Sequence, residues 1–200
     1  MGMSAMHGQF DLLREVALRE RIAWGPRIAE LGNQIVRFPS GALPAKEIFE
    51  AFGAVQHVSF DINGKDGALP HDLSEPLPEV FFNRFDIVTN FGTSEHVEAS
   101  QYWCWRNIHE LCKLGGLMLH AIPCIGHWPN HGHWHYSAVR INRLAQRCGW
   151  LPIVRDHHSY THIDGRNQDS LLLCFRKQAA PFVSEEEFQQ IMFPEGEPHY

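Results

Sequence analysis

Apolar positions recur along this chain with two periods, and the alternation between them lays out the expected elements. Over residues 9–22 (QFDLLREVALRERI), Leu12, Leu13, Val16 and Ile22 gather near one side of a charged segment, the pattern of an amphipathic helix. After the turn pair Gly25-Pro26 the run RIAEL (27–31) predicts a first strand, followed by a polar, irregular loop to Gly41. Ala45, Ile48, Phe49 and Phe52 stand at i, i+3, i+4 and i+7, which predicts a helix with Pro44 in its first turn and a stop at Gly53.

HVSFDI (57–62) predicts a second strand, a short segment around Ala68 to Leu73 a third, and FDIVTNF (85–91) a fourth. A long helix is expected from about Glu95 to Lys113, with Cys104, Ile108, Leu111 and Cys112 on one face, ended by Gly115-Gly116. LMLHAIP (117–123) is the fifth strand. Ser137 stands as the N-cap of a helix whose stripe is Ile141, Leu144, Ala145 and Cys148, with Gly149 as its stop. LPIVRD (151–156) and SLLLCFRK (170–177) complete seven strands, and a polar tail follows from about Glu185. Strands that are nearly continuously apolar and alternate with helices imply a mainly parallel sheet covered on both faces. Ligands of such sheets bind beyond the carboxyl ends of the strands, where the strand order reverses.

Composition narrows the partners. With 200 residues, 44% of them hydrophobic, the chain can bury one substantial core and is too short for two ordinary domains. A net charge of −6, with Lys and Arg scattered singly, offers no basic stripe for a phosphate backbone, which disfavours a nucleic-acid substrate. Five cysteines without CxxC spacing read as reduced core thiols of a cytoplasmic protein. Neither a membrane-spanning apolar run nor the apolar core of a secretory signal is expected.

The polar residues at the strand ends carry the candidate chemistry. The first strand ends Glu30-Leu31-Gly32-Asn33, the second at Asp61, Asp72 follows about ten residues later, and the fourth ends Asn90-Phe91-Gly92. An acidic residue closing the second strand can accept hydrogen bonds from both hydroxyls of a ribose, and Gly32 lets the backbone approach a ligand closely.

In these residues the chain resembles the class I S-adenosylmethionine-dependent methyltransferases. RIAELGN is similar to the family's first motif, SFDIN to its ribose-binding strand, and HDLSEPLP to its adenine-side loop. FDIVTNFGTSEHV is similar to its fourth strand and active-site loop, and LCKLGGLMLHAIP to the helix, Gly-Gly turn and fifth strand. The resemblance covers about residues 25–177. It implies a Rossmann-like three-layer α/β sandwich, its seven-stranded sheet mostly parallel with an antiparallel last strand. It makes the chain a single domain: an N-terminal helix (1–24), a core (25–177) and a C-terminal tail (178–200). It further implies S-adenosyl-L-methionine as cofactor and methyl transfer to a small molecule. The implied cofactor contacts are Glu30, Gly32, Asn33, Asp61, Ile62, Asp72, Leu73, Asn90, Phe91 and Gly92. The first turn departs from the family pattern, with Gly32 alone where two or three glycines are usual.

Acid–base candidates follow from the loops. His96, in Thr93-Ser94-Glu95-His96, lies beside the expected methyl position or else serves helix capping. In the segment 127–136 (HWPNHGHWHY), His133, His135 or Tyr136 stands where related enzymes carry a substrate-side His or Tyr before the capping Ser137. The HxHxH run also raises a metal reading, set aside because Gly132 and Pro129 argue for a loop and no carboxylate or cysteine completes the set. Tyr102, Trp103 and Trp105 read as core, and His157, His158 and Tyr160 as residues bordering the pocket after the sixth strand. The competing functions are a nicotinamide-dependent oxidoreductase, opposed by the missing GxGxxG, a cofactor-binding protein without catalysis, and a metal-dependent enzyme using the His-rich loop.

Overall fold

The computed structural model describes residues 9–20, 25–38, 41–51, 53–161 and 167–194. Ile22 and Phe52 of the expected helical faces, and the chain after residue 194, lie outside the described residues. The elements in chain order are α1 (Gln9–Arg19), β1 (Arg27–Leu31), β2 (Ile35–Phe38), β3 (Gly41–Pro44), α2 (Ala45–Ala51) and β4 (Gln56–Phe60). Then come β5 (Phe85–Phe91), α3 (Gln101–Leu111), β6 (Cys112–Pro123), α4 (Ala138–Arg147), β7 (Leu151–Thr161), β8 (Asn167–Arg176) and α5 (Glu185–Met192).

One six-stranded sheet runs in the order β4-β1-β5-β6-β8-β7. The strands β4, β1, β5 and β6 are mutually parallel, and β8 lies antiparallel between β6 and β7. Alternation along the strands sends side chains into two apolar layers. Ile28, Ile87, Leu117 and Leu119 meet Leu12, Leu13 and Val16 of α1 and Phe49 of α2 on one face. Ala29, Leu31, Val88 and Met118 meet Trp105 and Ile108 of α3, Ile141 and Leu144 of α4, and Phe188 of α5 on the other. This is the expected three-layer α/β arrangement, with the sheet covered on both faces. All five cysteines are buried, and burial pushes their thiols up, Cys124 to about 11 and Cys112, Cys148 and Cys174 to about 12.

Five sequence-based expectations are corrected. The sheet has six strands, not seven: Leu69 makes only an isolated bridge to Phe60, because Pro70 has no N–H to extend a ladder and Leu69 itself faces solvent. The stretch after β1 is no irregular loop, since Ile35–Phe38 and Gly41–Pro44 pair antiparallel and bury Val36 completely. The helix expected from Glu95 begins at Gln101, where Ser100 Oγ accepts from Trp103 N at 3.3 Å; residues 94–96 form a separate 3₁₀ turn. Ser137 occupies the N-cap of α4 as expected, with extended backbone and no side-chain capping hydrogen bond. The polar tail contains α5, which Ser184 caps and which drives Phe188 and Met192 into the core. In addition, β7 extends to Thr161, so His157, His158 and Tyr160 belong to a strand rather than to the loop after one.

Candidate functional site

The chain enters the sheet at β1, moves to β4 on one side and then to β5 on the other, so the reversal point lies above the ends of these three strands. A cavity of about 310 Å³ opens there, lined among others by Gly32, Asp61, Ile62, Asp72, Leu73 and His96. Its size falls within the roughly 300–1,000 Å³ of small-molecule sites. Six of the thirteen sequence-predicted site residues meet in this one cavity, drawn from four separate segments.

Asp61 follows β4 directly and is held from two sides. Its Oδ2 accepts from Asn33 N at 2.7 Å and its Oδ1 from Asn63 N at 2.8 Å. Asn33 thereby ties the first turn to the second, although it does not line the cavity, and its side chain donates to Asp66 Oδ2 at 2.8 Å. Across the cavity Asp72 Oδ1 accepts from Ser74 Oγ at 2.7 Å and Ser74 N at 2.9 Å. Those bonds hold its carboxyl below the usual range.

Gly32 adopts φ +78°, donates its N–H to Phe60 O at 2.8 Å, and packs against Thr93. Thr93 Oγ1 donates to Leu31 O at 2.7 Å and accepts from Gln34 Nε2 at 2.8 Å. Buried Gln34 and the β2–β3 hairpin therefore occupy the space after the turn. Glu30 lies apart from the cavity, buried, with Oε2 3.4 Å from His57 Nε2 and Oε1 without a hydrogen-bond partner. Burial raises its pKa, and the adjacent His57 opposes the rise.

Beyond β5 the chain is fixed from below. Asn90 Nδ2 donates to Ser94 Oγ at 2.9 Å while Asn90 Oδ1 accepts from Ser94 N at 3.0 Å, an internal clasp that leaves Asn90 wholly buried. Phe91 points into the apolar layer shared with α1 and α2, and Gly92, at φ +68°, donates to Ala121 O. Gln101 braces the same segment, its Nε2 donating to Ser94 O at 2.7 Å and Val97 O at 2.8 Å. Its Oε1 accepts from Tyr136 at 2.8 Å and Trp105 Nε1 at 3.2 Å. Tyr136 is thus a buried member of this network, away from the cavity, with burial keeping its phenol well above the ordinary range. Gln101 carries no sequence signal beyond its place at the start of a helix, and it was legible only once the start of α3 was known.

The His-rich segment clamps over residues 94–97. His133 N and Trp134 N both donate to Glu95 O, at 2.7 and 3.2 Å, and Trp134 Nε1 donates to Val97 O at 3.0 Å. The three alternating histidines diverge. His133 is exposed, with Nε2 3.6 Å from Glu98 Oε2, and His135 turns inward, with Nε2 2.8 Å from His131 O. His131 instead faces Glu95, Nε2 to Oε1 at 3.6 Å, and Glu95 Oε1 lies 3.8 Å from His96 Nε2. The carboxylate absent from the sequence reading is therefore supplied from the neighbouring loop. Burial lowers the pKa of His96, partly offset by Glu95.

No protein-family model matches the sequence, and no curated protein matches it. Solved structures do resemble the fold. The 1,6-didemethyltoxoflavin-N1-methyltransferase of Burkholderia thailandensis, solved with S-adenosylhomocysteine bound, matches with a TM-score of 0.62 at 13% identity, over 87% of this chain and 80% of that one. The N-methyltransferase NodS of Bradyrhizobium japonicum matches with a TM-score of 0.59 at 14% identity, over 85% and 94% of the two chains. The [4+2]-cyclase SpnF matches with a TM-score of 0.56 at 15% identity, over 84% and 80%.

Proposed function

Given a chain with the fold of the class I S-adenosylmethionine-dependent methyltransferases, we propose that it binds S-adenosylmethionine in the cavity above β1, β4 and β5 and methylates a small molecule. The observation that carries this reading is the Asp61 carboxylate, anchored by Asn33 N and Asn63 N at the end of β4 and bordering the cavity. With both oxygens already oriented, it meets a vicinal diol without a further ordering cost. Gly32 borders the same cavity and offers its backbone there, its missing side chain being required by the packing against Thr93. Asp72 and Leu73 form the wall suited to the adenine, and Ile62 the apolar surface beside it.

Gly32, Asp61, Asp72 and Leu73 would hold the sulfonium cofactor, which would supply an electrophilic methyl group for the lone pair of an acceptor. The chain's own task is alignment in a dry site, worth several orders of magnitude in rate. Among the three acid–base candidates His96 borders the cavity, whereas His133 faces solvent and Tyr136 is committed to Gln101. His96 is the residue we assign to the acceptor side. Among the described residues no helix is long and apolar enough to cross a membrane. A cytoplasmic setting is part of this proposal, supported by the burial of the cysteines in the apolar layers of the fold.

Calorimetric titration with S-adenosylmethionine and S-adenosylhomocysteine, with NAD as control, tests the reading. Binding of both sulfur nucleosides, absence of NAD binding, and a loss of about 10–100-fold in Asp61→Ala are expected. A folded protein that binds neither sulfur nucleoside overturns it. A second reading, cofactor binding without methyl transfer, is favoured by the Gln34–Thr93 contact that fills the first turn. Tight binding with no thioether released from a broad set of small acceptors would support it.

A further inference from the structure

Among the described residues, Glu95, His96 and His131 bring one ligand atom each within 4.8 Å of one another. Glu95 is 1% exposed, and its Oε2 has no hydrogen-bond partner although it is buried. Its Oε1 faces two imidazole nitrogens at once, at 3.6 and 3.8 Å, both beyond a good hydrogen bond. An ordinary ion pair would close one of these contacts and would not leave a buried carboxylate oxygen idle. Four-coordinate zinc, with bonds of about 2.0–2.1 Å, sets its ligands roughly 3.3 Å apart. The two carboxylate–imidazole spacings lie within about half an ångström of that arrangement, and the two imidazole nitrogens lie within 4.8 Å of each other.

The cluster is also held in place. Two amides of the His-rich loop grip Glu95 O, and Gly132, at φ +71°, comes so near that a Cβ there would lie 2.9 Å from Glu95 Cγ. The His96 and His131 rings meet edge to face with centroids 5.1 Å apart. We propose that Glu95, His96 and His131 bind a divalent transition-metal ion of the zinc class at the wall of the cavity. Three protein ligands of this kind leave a coordination position open, as in catalytic rather than structural zinc sites.

The role of the ion rests on the proposed methyl transfer. His96 borders the cavity, so an oxygen or nitrogen of the acceptor can take the open position. Its pKa would then fall, its proton would pass to water, and its lone pair would bond to the methyl carbon as the carbon–sulfur bond breaks and the neutral thioether leaves. His96 acts in this case as a ligand and not as the base.

Tag-free protein, stripped with a chelator and free of S-adenosylmethionine, is titrated with Co²⁺ and then with Zn²⁺. One equivalent of Co²⁺ giving intense visible bands, displaced by Zn²⁺, is expected. Affinity should fall at least about tenfold in His131→Ala and Glu95→Gln, since even residues that only orient ligands cost 10–100-fold, and stay unchanged in His133→Ala. Absence of the bands in protein of native circular dichroism overturns the proposal, as does an equal loss in His133→Ala. Because the titration omits the sulfur nucleoside, a failed cofactor titration leaves this result intact, and the reverse holds.

Discussion

Gly32 and Thr93 are packed so tightly that a Cβ on the glycine would lie 2.5 Å from Thr93 Oγ1. That oxygen is held by Leu31 O and Gln34 Nε2 and has no room to retreat. The glycine also sits at φ +78°, a region costly for other residues. Gly32→Ala is expected to lose about 1–3 kcal/mol in urea unfolding. Adding Thr93→Ala should return part of that loss, the steric part, while the dihedral cost remains. A Gly32→Ala protein as stable as the parent would show that the turn rearranges freely.

Gln101 joins α3 to the loop that carries His96, and all of its side-chain contacts are internal. Gln101→Leu keeps the shape but strands the Trp105 N–H and removes one partner each from the Tyr136 hydroxyl, Ser94 O and Val97 O, which keep Ser94 Oγ, Val97 N and Trp134 Nε1. At about 1–3 kcal/mol for the buried group left unsatisfied and about 0.5–1.5 kcal/mol for each other hydrogen bond lost, partly relaxed by neighbours, a total loss of about 2–4 kcal/mol is expected. Hydrogen exchange should quicken at residues 94–97 more than in the β5–β6 pair. Uniform protection across both regions would mean that Gln101 does not brace this loop.

His109 and His120 predict acid sensitivity. Burial, with Lys177 and Arg106 adding repulsion, lowers His109 to about 3, and burial alone lowers His120 to about 3. His109 Nδ1 accepts from Trp150 Nε1 at 2.9 Å, and His120 stacks on Trp105 with centroids 4.9 Å apart. In the unfolded chain both protonate near pH 6.5. Between that pH and about 3 the unfolded state binds more protons, so stability falls as pH falls. From pH 7 to pH 5 each histidine should cost about 2 kcal/mol. His109→Gln should flatten the pH dependence of unfolding free energy by about that amount, and an unchanged slope would contradict the assignment.

How far the sequence carried this fold depended on whether a signal was local. β1, β4, β5 and β6 announce themselves as apolar runs bounded by turn residues, and Gly32 after β1 and Asp61 after β4 border one cavity because parallel strands present their carboxyl ends on one side. Asp61 was legible for that reason. The pairing of Ile35–Phe38 with Gly41–Pro44 was not, since a short hairpin with one buried valine has too few alternating positions to stand out. Nor was the meeting of Glu95 with His131, which depends on a loop crossing 36 residues away in sequence. Glu30 and Asn90 are cofactor contacts only by the resemblance, and the structure engages their side chains inside the protein, Glu30 beside His57 and Asn90 with Ser94.

The helix α5 tests the same limit from the side of stability. Its sequence, EEEFQQIM, is mostly polar, so it resembles a tail. Phe188 is nevertheless fully buried, with ring centroids 5.8 Å from Tyr102 and 6.0 Å from Phe182. Arg147 pairs with Glu187, and Arg140 Nη1 donates to Met192 O, tying α5 to α4 at two points. If α5 is a working part of the core, Phe188→Ala should cost about 3–5 kcal/mol through the cavity it leaves. Exposed Glu186→Ala, on the opposite side, should stay within about 0.5 kcal/mol. Chemical denaturation of the two variants separates the cases: a loss under 1 kcal/mol for Phe188→Ala would make α5 an appendage, while the larger loss would place the last helix among the elements that hold Tyr102 and α3, and through Gln101 the cavity loop, in position.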